Sequence, residues 1–137
     1  MQTLDNKQHW SIAQLGYQHF ERGRLNDART IFEGLITLEP QYDYGWRILG
    51  EIAQKQNQHD VAIEYFKKSM QINGNDPGHR VALVQLYLQN QQRDAAWELL
   101  SPMRAYFQRP KTSWEDSWHE PLAQTRALLK AHFQITV

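Results

Sequence analysis

A small residue recurs at a fixed spacing of 34 along this chain: Ala28, Ala62 and Ala96. With that register set, other positions fall into columns: Leu15, Leu49 and Leu83; Gly16, Gly50 and Val84; Phe32, Phe66 and Leu100; and, more loosely, His19, Ala53 and Tyr87. A period of this length constrains the fold strongly. Each unit is one supersecondary element, too small to bury its own apolar face, so it is stable only when stacked on its neighbours.

The spacing inside each unit is helical. Ile12, Leu15 and Phe20 precede a polar turn, and Ala28, Ile31, Phe32, Leu35 and Ile36 follow it. The turns are Arg22-Gly23-Arg24, Gln56-Asn57-Gln58 and Asn90-Gln91-Gln92. Asn26, Asp60 and Asp94 share a column after them and read as N-caps, because their side chains can accept from the free amides of a first helical turn. Pro40 and the loop Asn73-Gly74-Asn75-Asp76-Pro77-Gly78 separate one unit from the next. The pattern predicts helices near 9–22, 26–39, 44–56, 60–72, 78–90 and 94–107. The Gly and Ala columns let helix backbones approach closely, and the Phe and Leu columns fill the notch opposite.

This pattern resembles the tetratricopeptide repeat. The second unit has W-x2-L-G in full, as Trp46, Leu49 and Gly50, followed by A-x3-F, as Ala62 and Phe66. The first keeps Leu15, Gly16, Gly23, Ala28, Phe32 and Pro40, with Ile12 in place of the Trp. The third keeps Leu83, Tyr87 and Ala96, with Val84 for Gly and Leu100 for Phe. The resemblance implies an all-α fold: a right-handed superhelical solenoid of three helix-turn-helix repeats plus a C-terminal capping helix. It divides the chain into a lead-in (1–8), repeats at 9–42, 43–76 and 77–110, and a final segment at 111–137.

The resemblance also implies a function: binding a peptide segment of a partner in a groove lined by the first helix of each unit. The residues facing that groove would be Trp10, Ala13, Tyr17 and Phe20 from the first unit, Tyr44, Arg47, Glu51 and Gln54 from the second, and Val81, Gln85 and Leu88 from the third. Such a surface is aromatic at one end, polar in the middle and aliphatic at the other, which suits an extended or short helical peptide with apolar anchors. Co-chaperones of this family that hold an acidic chain terminus use a Lys and an Asn where this sequence has Ala13 and Tyr17. A terminal carboxylate is therefore not the expected ligand. The chain is also similar to the tetratricopeptide chaperones of type III secretion, which hold translocator subunits in the bacterial cytoplasm. Gly23-Arg24-Leu25-Asn26-Asp27-Ala28-Arg29-Thr30-Ile31-Phe32 and Arg80-Val81-Ala82-Leu83-Val84 carry that likeness, although only about eight residues precede the array.

Composition narrows the rest. Fifteen basic residues balance fifteen acidic ones, which gives no electrostatic reason to expect nucleic acid or an anionic membrane. There is no cysteine, hence no disulfide or thiol chemistry. No apolar stretch is long enough to insert into a membrane, and the N-terminus shows no signal-peptide pattern, so a soluble cytoplasmic protein is expected. The six histidines form no metal-binding spacing, and Gly74-Asn75-Asp76-Pro77-Gly78 lacks the Gly-Lys-Ser/Thr of a phosphate cradle. No catalytic residue, metal or cofactor is therefore expected.

The period stops at 110. Beyond it, Ser113 and Asp116 resemble a capping box, Trp114 and Trp118 stand four apart on one helix face, and Pro121 opens a final helix to about 134. This segment is expected to cover the open end of the array. The alternative is a structural role in which Trp114 and Trp118 mediate self-association as a homodimer.

Overall fold

The structure, a computed structural model, describes residues 4–104 and 119–134. Among these residues there are seven α-helices and no strand: α1 (Asn6–Glu21), α2 (Leu25–Leu38), α3 (Asp43–Lys55), α4 (His59–Ile72), α5 (Pro77–Gln89), α6 (Arg93–Arg104) and α7 (His119–Phe133). The six expected helices are all present, and each begins one to three residues earlier than expected. Two compact units divide the chain, Met1–Gly74 and Asn75–Val137. The first holds the α1/α2 and α3/α4 pairs, and the second holds α5/α6 with α7.

The columns have the packing role their chemistry suggests. Ala28, Ala62, Ala96, Phe32, Phe66 and Leu100 are all fully buried. A Cβ placed on Gly16 would come within 2.8 Å of Phe32 Cε2, and one on Gly50 within 2.9 Å of Phe66 Cε1. Only hydrogen at these positions lets the phenyl ring lie against the helix backbone. In the third pair Val84 replaces the glycine and Leu100 the phenylalanine, and both are fully buried. The larger residue on one helix is matched by a smaller one on the other, which keeps the filled volume similar. Leu49 is 1% exposed within a core cluster that includes Ala28, Phe32 and Leu35 of α2, whereas Leu15, its counterpart in the first pair, is 49% exposed.

The helix starts differ from expectation. Asn26, Asp60 and Asp94 are not N-caps; each lies inside the first turn, and the residues at the cap positions of α2 and α4, Arg24 and Gln58, make no side-chain cap bond. The turns themselves do the work. Gly23, Asn57 and Gln91, one per repeat and 34 apart, all take left-handed backbone angles, with φ of 75°, 59° and 60°. The amide that follows each one reaches back to the helix before it. Arg24 N–H donates to His19 O at 2.9 Å, Gln58 N–H to Ala53 O at 2.8 Å, and Gln92 N–H to Tyr87 O at 2.8 Å. This is the six-to-one bond of a Schellman turn, and it satisfies a carbonyl that the ending helix leaves open. It also explains the loose column at 19, 53 and 87: those positions supply the carbonyl, which any side chain can carry. Asp60 and Asp94 still place negative charge at the positive end of a helix dipole. Asn26 instead accepts from Gln56 Nε2 at 3.3 Å.

Two true caps occur where the sequence reading placed none. Asp5 caps α1 in a reciprocal box: its carboxylate accepts from Gln8 N–H at 2.7 Å, and its own N–H donates to Gln8 Oε1 at 3.1 Å. The lead-in at 1–8 is thus partly helix. Asp76 caps α5 with Pro77 at the first helical position, where a missing N–H costs nothing.

In the second unit α7 packs against both α5 and α6, burying Thr125 and Leu129. Phe133 meets the Trp97 ring at 4.9 Å between centroids, and the Arg93 guanidinium lies 4.9 Å from the Phe133 ring and donates to His132 O. Pro102 sits inside α6 and cannot donate to the carbonyl four residues back. One turn earlier in that helix the Leu99 carbonyl accepts from Arg80 Nη1 at 2.9 Å, which ties α5 to α6. The capping box at Ser113 and Asp116, and the pair Trp114 and Trp118, lie outside the described residues.

Candidate peptide-binding face

The residues expected to face a ligand lie on α1, α3 and α5, the first helix of each pair. In the first unit, α1 and α3 present matched positions: Trp10 with Tyr44, Tyr17 with Glu51, and Phe20 with Gln54. Trp10 is 64% exposed and Tyr44 is 42% exposed. A globular chain normally covers side chains of this size, so two exposed aromatics at one register position are natural points of contact for a partner.

Below them the face becomes polar and better packed. Tyr17 is half-buried, its ring edge-on to Phe32 at 5.4 Å, with its hydroxyl hydrogen-bonded to Tyr42. Loss of solvent pushes the Tyr17 hydroxyl pKa up. The Glu51 carboxylate adds to the rise, and the Arg47 guanidinium opposes it. Tyr42 is pushed up to about 12, first by burial, then by Tyr17 and Asp43. Both hydroxyls therefore stay protonated at neutral pH and can donate as well as accept. Arg47 Nε lies 3.4 Å from Glu51 Oε1, one turn away on α3. Half-screened by water, such a pair is worth only about 0–1 kcal/mol, so either partner can turn to a ligand at little cost. Phe20 is partly buried under Lys55, whose Nζ stands 5.5 Å from the ring centroid.

Two expected surface residues are core residues instead. Ala13 is 6% exposed and belongs to the buried cluster that also holds Phe32 and Leu35 of α2 and Ile48 and Ile52 of α3. Val81 is 3% exposed in the second unit, where Gln85 is exposed and Leu88 half-buried. Tyr42 and His9 were not foreseen. Tyr42 lies in the loop before α3, where helical periodicity gives no signal. His9 meets its ring edge-on at 4.4 Å while His9 Nε2 contacts Glu39 Oε2 at 3.1 Å.

Residues 53–112 match the model of a family described as tetratricopeptide repeat. That stretch carries the tetratricopeptide-repeat pattern. Solved structures agree over almost its whole length. PcrH from Pseudomonas aeruginosa superposes with a TM-score of 0.79 at 20% identity, covering 95% of this chain and 95% of that one. The type III secretion translocator chaperone SycD of Yersinia enterocolitica gives 0.78 at 17% identity, covering 93% and 91%. PcrH in complex with the chaperone-binding region of PopD gives 0.78 at 21%, covering 96% and 96%. At these identities the likeness establishes the fold, an all-α tetratricopeptide solenoid. No curated protein sequence matches the chain. Among the described residues no helix is long and apolar enough to cross a membrane.

Proposed function

We propose that this protein is a non-enzymatic tetratricopeptide chaperone that holds a segment of a partner protein against the first-helix face. More narrowly, we propose that it is a cytoplasmic chaperone of a type III secretion translocator subunit. The observation that carries the reading is the end-to-end fold match: the likeness covers nearly the whole chain, and the matched structures include SycD, a type III secretion translocator chaperone, and PcrH bound to the chaperone-binding region of PopD. PcrH is solved with the chaperone-binding regions of PopB and PopD, and SycD with a peptide of YopD. Trp10 and Tyr44 are the anchors of the first unit, with Tyr17, Phe20, Arg47, Glu51 and Gln54 as its further contacts; taken by itself, the second unit offers Gln85 and Leu88. Ala13 and Val81 act from beneath, as packing. The exposed aromatics supply apolar contact area at low conformational cost, and the Tyr17 hydroxyl and the Arg47–Glu51 pair can bond the partner's main chain.

Co-expression with a candidate translocator subunit tests this. The unaltered chain should keep the subunit soluble and co-purify with it. Trp10→Ala with Tyr44→Ala should lose co-purification while circular dichroism and the unfolding midpoint stay unchanged. These two are better probes than Tyr17 or Phe20, whose truncation would also remove core contacts. Undiminished co-purification by the double variant would remove the face from the account.

A further inference from the structure

We infer that Asn73 is a spontaneous modification site, and that its deamidation unfastens the end of α4 from the start of α3. Among the six asparagines, Asn73 is the one followed by glycine. It ends α4 with φ −137° and ψ 76°, outside helical geometry. Its own amide is held, donating to Ser69 O at 3.0 Å, but the Gly74 N–H makes no backbone hydrogen bond among the described residues. Gly74 is exposed and has no side chain to hinder approach to its nitrogen. The Asn73 carboxamide thus stands next to a backbone nitrogen that no backbone hydrogen bond holds.

The chemistry needs only water and hydroxide. The Gly74 nitrogen gives up its proton and attacks Asn73 Cγ. The Cγ–Nδ2 bond breaks and ammonia departs with that proton, closing a five-membered succinimide. Water then opens the ring at either carbonyl. One product is aspartate; in the other, isoaspartate, the main chain runs through the former side chain.

The Asn73 carboxamide is already engaged: its Nδ2 donates to Asp43 Oδ2 at 3.2 Å. This bond links the last residue of the second repeat's helix pair to its first helical residue. It also restrains the rotation that attack by Gly74 requires, so Asp43 is a positioning residue that slows the reaction. After deamidation the donor is gone and a carboxylate faces a carboxylate, which removes the bond and adds repulsion.

The purified full chain, held in mildly alkaline buffer and sampled over days, would be digested with trypsin and the peptide spanning 69–80 fragmented to separate Asn73 from Asn75. Asn73 should convert before the other five asparagines, and more slowly in the folded chain than in the free 69–80 peptide. Asp43→Ala should speed conversion several-fold. Asp43→Asn, which keeps an accepting oxygen, should stay near the parent rate. Asn73→Asp should lower the unfolding midpoint by a few degrees. Conversion at another asparagine first would overturn the site, and that order is read on the unaltered chain whatever the variants do. A rate unchanged by Asp43→Ala, or an unchanged midpoint in Asn73→Asp, would overturn the fastening.

Discussion

The glycine and phenylalanine columns make a prediction that can be worked from atomic distances. Replacing Gly50 by valine puts a branched side chain where a single Cβ already meets three atoms of the Phe66 ring at 2.9, 3.0 and 3.1 Å. That ring is fully buried and has nowhere to move. The overpacking should cost about 3 kcal/mol, reduced by a few tenths because valine is a better helix former than glycine. Replacing Phe66 by leucine opens a partial cavity and should cost about 1–2 kcal/mol, well short of a full truncation. The third repeat already carries the combination, as Val84 with Leu100. The double variant Gly50→Val with Phe66→Leu should therefore cost only about 1–2 kcal/mol, a favourable coupling of about 2–3 kcal/mol. Chemical denaturation of the four chains measures the cycle. Additive costs would show that the two positions do not share one space, and the packing account of the repeat would fail.

Three further outcomes follow. Gly23→Ala should destabilise by about 1–2 kcal/mol purely through its positive φ, since a Cβ there meets no atom within 4 Å; Gln91→Gly should stabilise by up to about 1 kcal/mol, relieving the same strain. Both are read from unfolding midpoints, and equal effects of opposite sign to these would refute the turn assignment. Tyr42 titrates near pH 12 in the folded chain against about 10 when unfolded, so the unfolded state loses its proton first. Its stabilising contribution is complete below pH 10 and is lost as pH rises toward 12, and Tyr42→Phe should flatten that loss in alkaline unfolding curves.

Much of the fold was legible because packing repeats with the sequence. Ala28, Ala62 and Ala96 fix where helices cross, and Phe32 and Phe66 fix what fills the space between them. The helix starts were less legible. Asn26, Asp60 and Asp94 have the right chemistry for caps, but the Schellman turn before them has already satisfied the backbone. Of its three left-handed residues, Gly23 and, more weakly, Asn57 advertise their conformation by type; Gln91 adopts it under the demands of the turn. The capping box of Asp5 and Gln8 is readable by type and spacing, yet it lies outside the repeat register and has no counterpart in the other units. On the candidate face, register identifies which side of α1 and α3 a residue occupies. It does not tell a contact with the neighbouring helix from a contact with a ligand, which is why Ala13 and Val81 turned out to be core. Tyr42 belongs to a loop, and its bond to Tyr17 depends on tertiary geometry that no local pattern records.

Side-chain oxidation footprinting of the chain, alone and in complex with a co-purified partner segment, tests the central claim most directly. Trp10 and Tyr44 on the first helices, and Leu38 and Val61 on the second helices, are all exposed in the free chain. The account predicts that Trp10 and Tyr44 lose most of their reactivity in the complex while Leu38 and Val61 keep theirs. Protection of Leu38 and Val61 with Trp10 and Tyr44 still reactive would place the partner on the other helices and contradict it.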